Sequence, residues 1–200
     1  MNEVRVVNEQ PTDPEKLRLG GITEHDETHM LEAASEHLGQ INGLRPEVWS
    51  GMNENDREWC LRQVGGKLSE VYECPPPPFI GSQMAKVEGG VLLGEHSDAN
   101  YITRLNSDLL RESDASEALK TYCHEFRHAY QHEMVERYES SFRHLCHDEA
   151  AAAQWAENFR EGRYISFEGD PEGYEAQPVE ADARAFADTI TERVRTKLSN

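Results

Sequence analysis

The sequence predicts an α+β chain, mostly helical, with a small irregular antiparallel sheet ahead of a central helix. Three observations carry that expectation. Apolar residues recur at helical spacing in long segments on both sides of residues 79–110. Residues 79–110 instead hold short apolar runs broken by Gly89-Gly90. Pro75 to Pro78 cannot be helical, and they deliver the chain to that stretch as a stiff extended connector.

Taken in order, residues 1–21 carry Pro11, Pro14 and Gly20-Gly21 with little apolar content, which predicts a mobile lead-in. Residues 22–78 form a helical N-terminal part with the proline-rich connector, expected to close into one compact domain with the core at 79–200. A helix over 23–41 follows from the capping spacing of Thr23 and Asp26 and from the stripe Met30, Leu31, Ala34, Leu38 and Ile41. Gly43 and Pro46 end it. A second helix starts near Asn55 with Glu58 completing a capping box and runs to Glu73. Trp59, Val64, Leu68, Val71 and Tyr72 form its anchoring face, Gly65-Gly66 weakens it, and Trp49 folds back on it. Strands are expected near 79–87, 91–93 and 101–105. The polar stretch 95–100 reads as a loop that leaves His96 in solvent.

The central helix starts at Asp114, with Glu117 completing a capping box. Leu119, Tyr122, Cys123, Phe126, Ala129, Tyr130 and Met134 share one side, nearly opposite His124, Glu125 and His128. A helix over 141–160 turns Phe142, Leu145, Ala152, Ala156 and Phe159 inward, with Trp155 beside them. His144 and His147 read there as surface charge. Residues 162–173 are rich in turn formers, with a short strand near 164–167. The last helix begins at Pro178 and runs to Leu198 on the stripe Val179, Ala183, Phe186, Ala187, Ile190 and Val194.

The chain has 200 residues and a net charge of -18, so it lacks the basic patches that nucleic acid or an anionic membrane would require. The acidity reads first as solubility. No apolar run reaches the ~18 residues needed to span a bilayer. The N-terminus lacks an apolar signal-peptide core. Together these predict a cytoplasmic chain or one exported by a signal-independent apparatus. Cys60, Cys74, Cys123 and Cys146 form no C-x-x-C pair and read as buried thiols.

The chemistry centres on His124-Glu125-Phe126-Arg127-His128. Histidines four apart stand one turn above each other, so both imidazoles reach one ion from the same side. The intervening Glu125 points about 100° round the helix, where it can hold a water on that ion. This is the H-E-x-x-H arrangement of zinc peptidases. His132 lies about 12 Å along the axis from His124, too far to share the ion, and reads as a supporting or exposed residue. His25 and His29 repeat the spacing with Asp26 in the Glu place, in a polar segment that reads as a solvated helix start.

A catalytic zinc site usually has three protein ligands, so a third group from another element is required. Glu180 is the first choice, in the first turn of the last helix beside the small Ala183 and Ala187. Asp182, Glu175, Asp148 and His147 are the alternatives. Asp182 could instead hydrogen-bond a ligating histidine and fix its tautomer.

Thr121 to Gln131, followed by Pro178-Val-Glu-Ala-Asp-Ala-Arg-Ala-Phe-Ala187, resembles compact bacterial and phage zincin-like metallopeptidase domains. In those domains H-E-x-R-H-A-x-Q is followed by P-x-E-x-D-A-x-x-F-A, and a strand like Asn100 to Leu110 precedes the active-site helix. The resemblance spans residues 79–198. It implies a Glu-zincin site with His124, His128 and Glu180 on zinc and Glu125 catalytic. Several such domains are toxin or effector modules, so an immunity-like inhibitor protein joins a protein or peptide substrate among the implied partners. Arg184 stands where thermolysin-like enzymes place an Asp, so supporting contacts do not carry over. The expected reaction is amide hydrolysis by metal-activated water, with Glu125 as general base. Tyr174, His147, Arg184 and Tyr164 are candidates for oxyanion stabilisation. The strand 101–105 is a candidate to pair with an extended substrate. The rivals are a non-catalytic acidic interaction domain for a cationic partner and a metal-binding module without turnover.

Overall fold

The computed structural model describes residues 24–199, except 85, 88, 89 and 168. The lead-in expected over 1–21 and the His25 side chain lie outside the described residues. The chain is α+β and mostly helical. Its α-helices are α1 (Glu24–Gly39), α2 (Pro46–Trp49), α3 (Glu54–Tyr72), α4 (Ser116–Glu139), α5 (Glu149–Phe159), α6 (Pro171–Ala176) and α7 (Pro178–Leu198). Its strands are β1 (Phe79–Ser82), β2 (Lys86–Val87), β3 (Gly90–Val91), β4 (Gly94–Ser97) and β5 (Ile102–Asn106).

The sheet is mixed, where an antiparallel one was expected. Its order is β1-β5-β4, with β5 parallel to β1 and antiparallel to β4. β2 and β3 form a separate antiparallel pair that takes the chain from one edge of the sheet toward the other. The polar stretch expected as a loop supplies strand β4. Its side chains pair with polar neighbours on β5: Arg104 donates to Glu95 at 2.5 Å, and His96 Nδ1 meets Thr103 Oγ1 at 3.1 Å. Cross-strand polar pairs can therefore support a strand without apolar alternation.

α4 lies at the centre. α7 covers much of its length, α5 lies against it, and α1 lies against α7. One core joins α1, α3, β1, β5, α4, α5 and α7, so residues between Ala34 and Cys74 contribute to the same interior as the later elements. Tyr72, Tyr122, Phe126, Tyr130 and Ile190 are among the fully buried side chains. Burial of each such large apolar group contributes about 1.5–3 kcal/mol. Gly65 is required where α3 meets α4, because a side chain there would run into the Tyr122 hydroxyl.

Several local expectations are corrected. α3 is capped by Asn53, which accepts from the Asp56 amide, and Glu73 ends it with φ of 49°. Trp59 is 62% exposed, while Arg57 turns inward and holds the carbonyls of Trp49, Leu110 and Glu112. At the start of α4, Asp114 accepts from the Ser116 amide and no capping box with Glu117 forms. The helix expected over 141–160 is a short 3-10 turn at 143–145 followed by α5, capped by Asp148. Phe142 and Leu145 are exposed as a result, and His147 is buried against the Tyr130 hydroxyl instead of lying on the surface. No strand forms at 164–167, and α6 follows that loop.

Candidate metal centre

α4 and α7 position the site. The α4 side chains Leu119, Tyr122, Cys123, Phe126, Ala129, Tyr130 and Met134 are all buried, so the helix cannot rotate without exposing them. α7 begins at Pro178 and buries Val179, Ala183, Phe186, Ala187, Ile190 and Val194. Ala183 and Ala187 are small enough to let the helices approach closely. That approach brings Glu180 onto the turn of α4 that carries His124 and His128.

Among the described residues, His124, His128 and Glu180 form a group able to hold a metal ion, their ligand atoms lying within 4.8 Å of one another. The two histidine Nε2 atoms are 3.1 Å apart. Glu180 Oε2 lies 3.3 Å from His124 Nε2, and Oε1 lies 3.4 Å from His128 Nε2. The edge of a tetrahedron around zinc with bonds of 2.0–2.1 Å is about 3.3 Å. The two imidazole nitrogens are near that spacing, and each faces a different Glu180 oxygen at a similar distance. Glu180 is 1% exposed, and its Oε2 meets no donor in hydrogen-bond geometry. An unsatisfied buried carboxylate oxygen is costly, and a cation at the centre of the triad would remove that cost. Burial opposes the Glu180 charge, but the His124 and His128 imidazoles beside it outweigh burial and hold its carboxyl well below the usual range.

The ligand orientations are set from behind. Gln131 Nε2 donates to the Val179 carbonyl at 2.9 Å and to Asp182 at 2.7 Å, which leaves its Oε1 facing His128 Nδ1 at 2.9 Å. His128 therefore donates from Nδ1 and turns its Nε2 to the triad. Asp182, a candidate for holding a ligating histidine directly, acts through Gln131. Arg127 fixes Asp182 in turn, donating from Nε at 2.8 Å and from its terminal nitrogen at 3.0 Å, and it also reaches Glu27 at 3.1 Å. Its guanidinium stacks near Tyr130 at 4.8 Å and Phe186 at 5.0 Å. Helical periodicity alone did not reveal Arg127 and Gln131 in these roles. The spacing of Gln131 three residues after His128 was the available signal.

Glu125 is buried beside the triad. Burial pushes its carboxyl above the usual range, although His128 and His124 pull it down. Gly94 makes this packing possible, since a Cβ there would lie 2.8 Å from Glu125 Oε1 and 2.7 Å from the Thr121 methyl. Glu125 and His124 open onto a cleft of about 520 Å³, lined also by Leu92, Leu93, Phe167, Tyr174, Arg184 and Ala187.

Of the oxyanion candidates, Tyr174 and Arg184 line this cleft. Tyr164 donates to Glu180 Oε1 at 2.8 Å. His147 is committed to Tyr130 and Glu73 and does not line the cleft. Of the alternative third ligands, Asp148 caps α5, and neither it nor Glu175 or His147 joins the triad.

His132 is half-buried and stacks on Phe159 with ring centroids 4.0 Å apart. Its neighbour His96 was expected in solvent, but it lies 6.1 Å away between β5 and α4 with a buried Nε2 that lacks a partner. Burial, reinforced by His132 and His128, pushes the His96 imidazole down from 6.5 to about 3. The unfolded chain therefore takes up this proton below pH 6.5 while the folded chain does not. This contribution to stability is complete above pH 6.5 and is lost progressively as pH falls toward about 3. His96→Asn keeps a partner for Thr103 and is expected to make the acid limb of a stability-pH profile shallower. Identical limbs in variant and wild type would contradict this account of His96.

Comparisons with protein-family models, with curated proteins and with solved structures yield no match to this chain.

Proposed function

We propose that this chain is a zinc-dependent peptidase with a zincin-like core, in which His124, His128 and Glu180 hold the metal and Glu125 is the general base. The observation that carries this reading is the convergence of two imidazoles and the Glu180 carboxylate, their ligand atoms within 4.8 Å of one another, beside a buried carboxylate that opens onto a cleft. Two imidazoles and one carboxylate match the donor chemistry of catalytic zinc, with the fourth position left for water. A purely structural site has no need of a base at its edge.

When bound, zinc would supply Lewis acidity, lowering the pKa of water and polarising the scissile carbonyl. Glu125 takes the proton of the attacking water and returns it to the leaving nitrogen. Its raised affinity for protons suits both transfers. Tyr174 is the hydroxyl donor for the oxyanion. Burial, with the Glu180 charge, pushes its hydroxyl up, so it stays protonated. Substrate in extended form is better matched to β4 than to β5. β5 is flanked on both edges, whereas β4 has an open edge among the described residues, and its Gly94 touches Glu125.

The test is to incubate the zinc-loaded protein with a complex mixture of unfolded proteins and map the new N-termini. Cleavage is expected with zinc, lost on chelation and restored when zinc is returned. Cleavage that persists after complete chelation would contradict the proposal.

A further inference from the structure

We propose that the cleft selects substrates in which a large apolar side chain stands next to a carboxylate, and that Arg184 is the residue that receives the carboxylate. This deepens the peptidase reading and rests on it for the chemistry, though not for the binding.

Arg184 lies one turn beyond Glu180 on α7, three residues before Ala187, and lines the same cleft as His124 and Glu125. Its recorded hydrogen bond goes to the Glu175 carbonyl. Among the described residues no carboxylate pairs with it. The other cation of the lining, Lys120, is held by Asp188 at 2.6 Å, with Glu117 nearby. Among the described residues, Arg184 is therefore the cation of the cleft without a carboxylate partner, in a chain of net charge -18 where acids are abundant. Nor is it among the groups that hold His128, because Gln131 and Asp182 do that.

Much of the surrounding wall is apolar, with Glu117, Thr121 and Ser166 among its polar groups. Leu92, Leu93, Phe167 and Ala187 converge on the cavity, and Leu93 and Phe167 keep 45% and 36% of their surface exposed. A cavity of about 520 Å³ has the size of sites that enclose a bulky side chain. Low surrounding polarity strengthens a guanidinium-carboxylate contact. The net negative charge does not forbid an anionic substrate, because screening over about 8 Å at physiological salt leaves the cleft's own charges to decide.

The carboxylate could belong to a chain end or to an acidic side chain, and paired probes distinguish the two. The full chain is titrated, with zinc and after chelation, with N-acetylphenylalanine and with its amide. A second pair is amidated N-acetylphenylalanyl-glutamate and the corresponding glutamine compound, added to the Glu125→Gln protein. Wild-type Arg184 is expected to favour the acid of at least one pair by about tenfold. The pair showing the preference names the source. Arg184→Gln is expected to erase it and Arg184→Lys to retain part of it, in both metal states. A carboxylate bound to zinc alone would ignore Arg184 and lose its preference on chelation. Equal binding of acid and amide in both pairs overturns the inference, as does an equal loss for both in Arg184→Gln. A preserved preference without zinc-dependent cleavage would instead overturn the peptidase reading alone.

Discussion

Replacing Glu125 by glutamine is expected to cut peptide hydrolysis about a thousandfold while leaving the fold and zinc content at wild-type levels. Glutamine has nearly the same shape, so the packing of Gly94 and Thr121 against position 125 is retained. What disappears is the ability to take a proton from water. The substitution should also raise stability slightly, because burial opposes the charge of Glu125 in the folded chain. A gain of stability with loss of turnover is the mark of a group kept for chemistry. Rates on a fluorogenic peptide, zinc content and a melting curve check all three parts. Retention of more than about a tenth of the activity would remove Glu125 from the proton transfers.

Arg127→Met is expected to destabilise the chain by about 3–5 kcal/mol. Methionine fills much of the volume among Tyr72, Tyr130, Trp155 and Phe186, so a cavity is not the main loss. The loss arises because Asp182 and Glu27 are left without their cation. Burial works against the Arg127 charge, but Asp182 and Glu27 outweigh it and keep the guanidinium protonated. A second effect follows through Asp182 and Gln131 to His128, whose imidazole would lose its fixed orientation. Zinc should bind about 10–100-fold more weakly. Denaturant titrations and competition with a zinc chelator measure the two effects. A loss below about 1 kcal/mol would show the cage to be an ordinary solvated ion pair.

Much of the candidate site was legible in the sequence because it rests on helical periodicity. The stripe of α7, its start at Pro178 and the small Ala183 and Ala187 identified a close helix contact with Glu180 at its edge. The spacing of His124 and His128 did the same for α4. Periodicity was silent where polar residues turn inward. Arg127 and Gln131 sit on what reads as a polar face, and only the arrival of α7 and its Asp182 makes their burial tolerable. Strand β4 was invisible for a related reason, since Glu95 and His96 are matched by Arg104 and Thr103 across the sheet instead of alternating with apolar residues. The parallel pairing of β1 with β5 depends on the path between them, which short apolar runs do not encode. Trp59, Phe142 and Leu145 show the opposite error, being large apolar residues that periodicity assigned to the core and the fold leaves exposed.

The most direct test of the central claim is the zinc stoichiometry of the purified full chain beside that of Glu180→Gln and His128→Gln. The account predicts one tightly held zinc per wild-type chain, with nitrogen and oxygen ligands at about 2.0–2.1 Å by X-ray absorption, and its loss in both variants. A wild-type chain that holds no zinc, or variants that hold it as tightly as wild type, would contradict it.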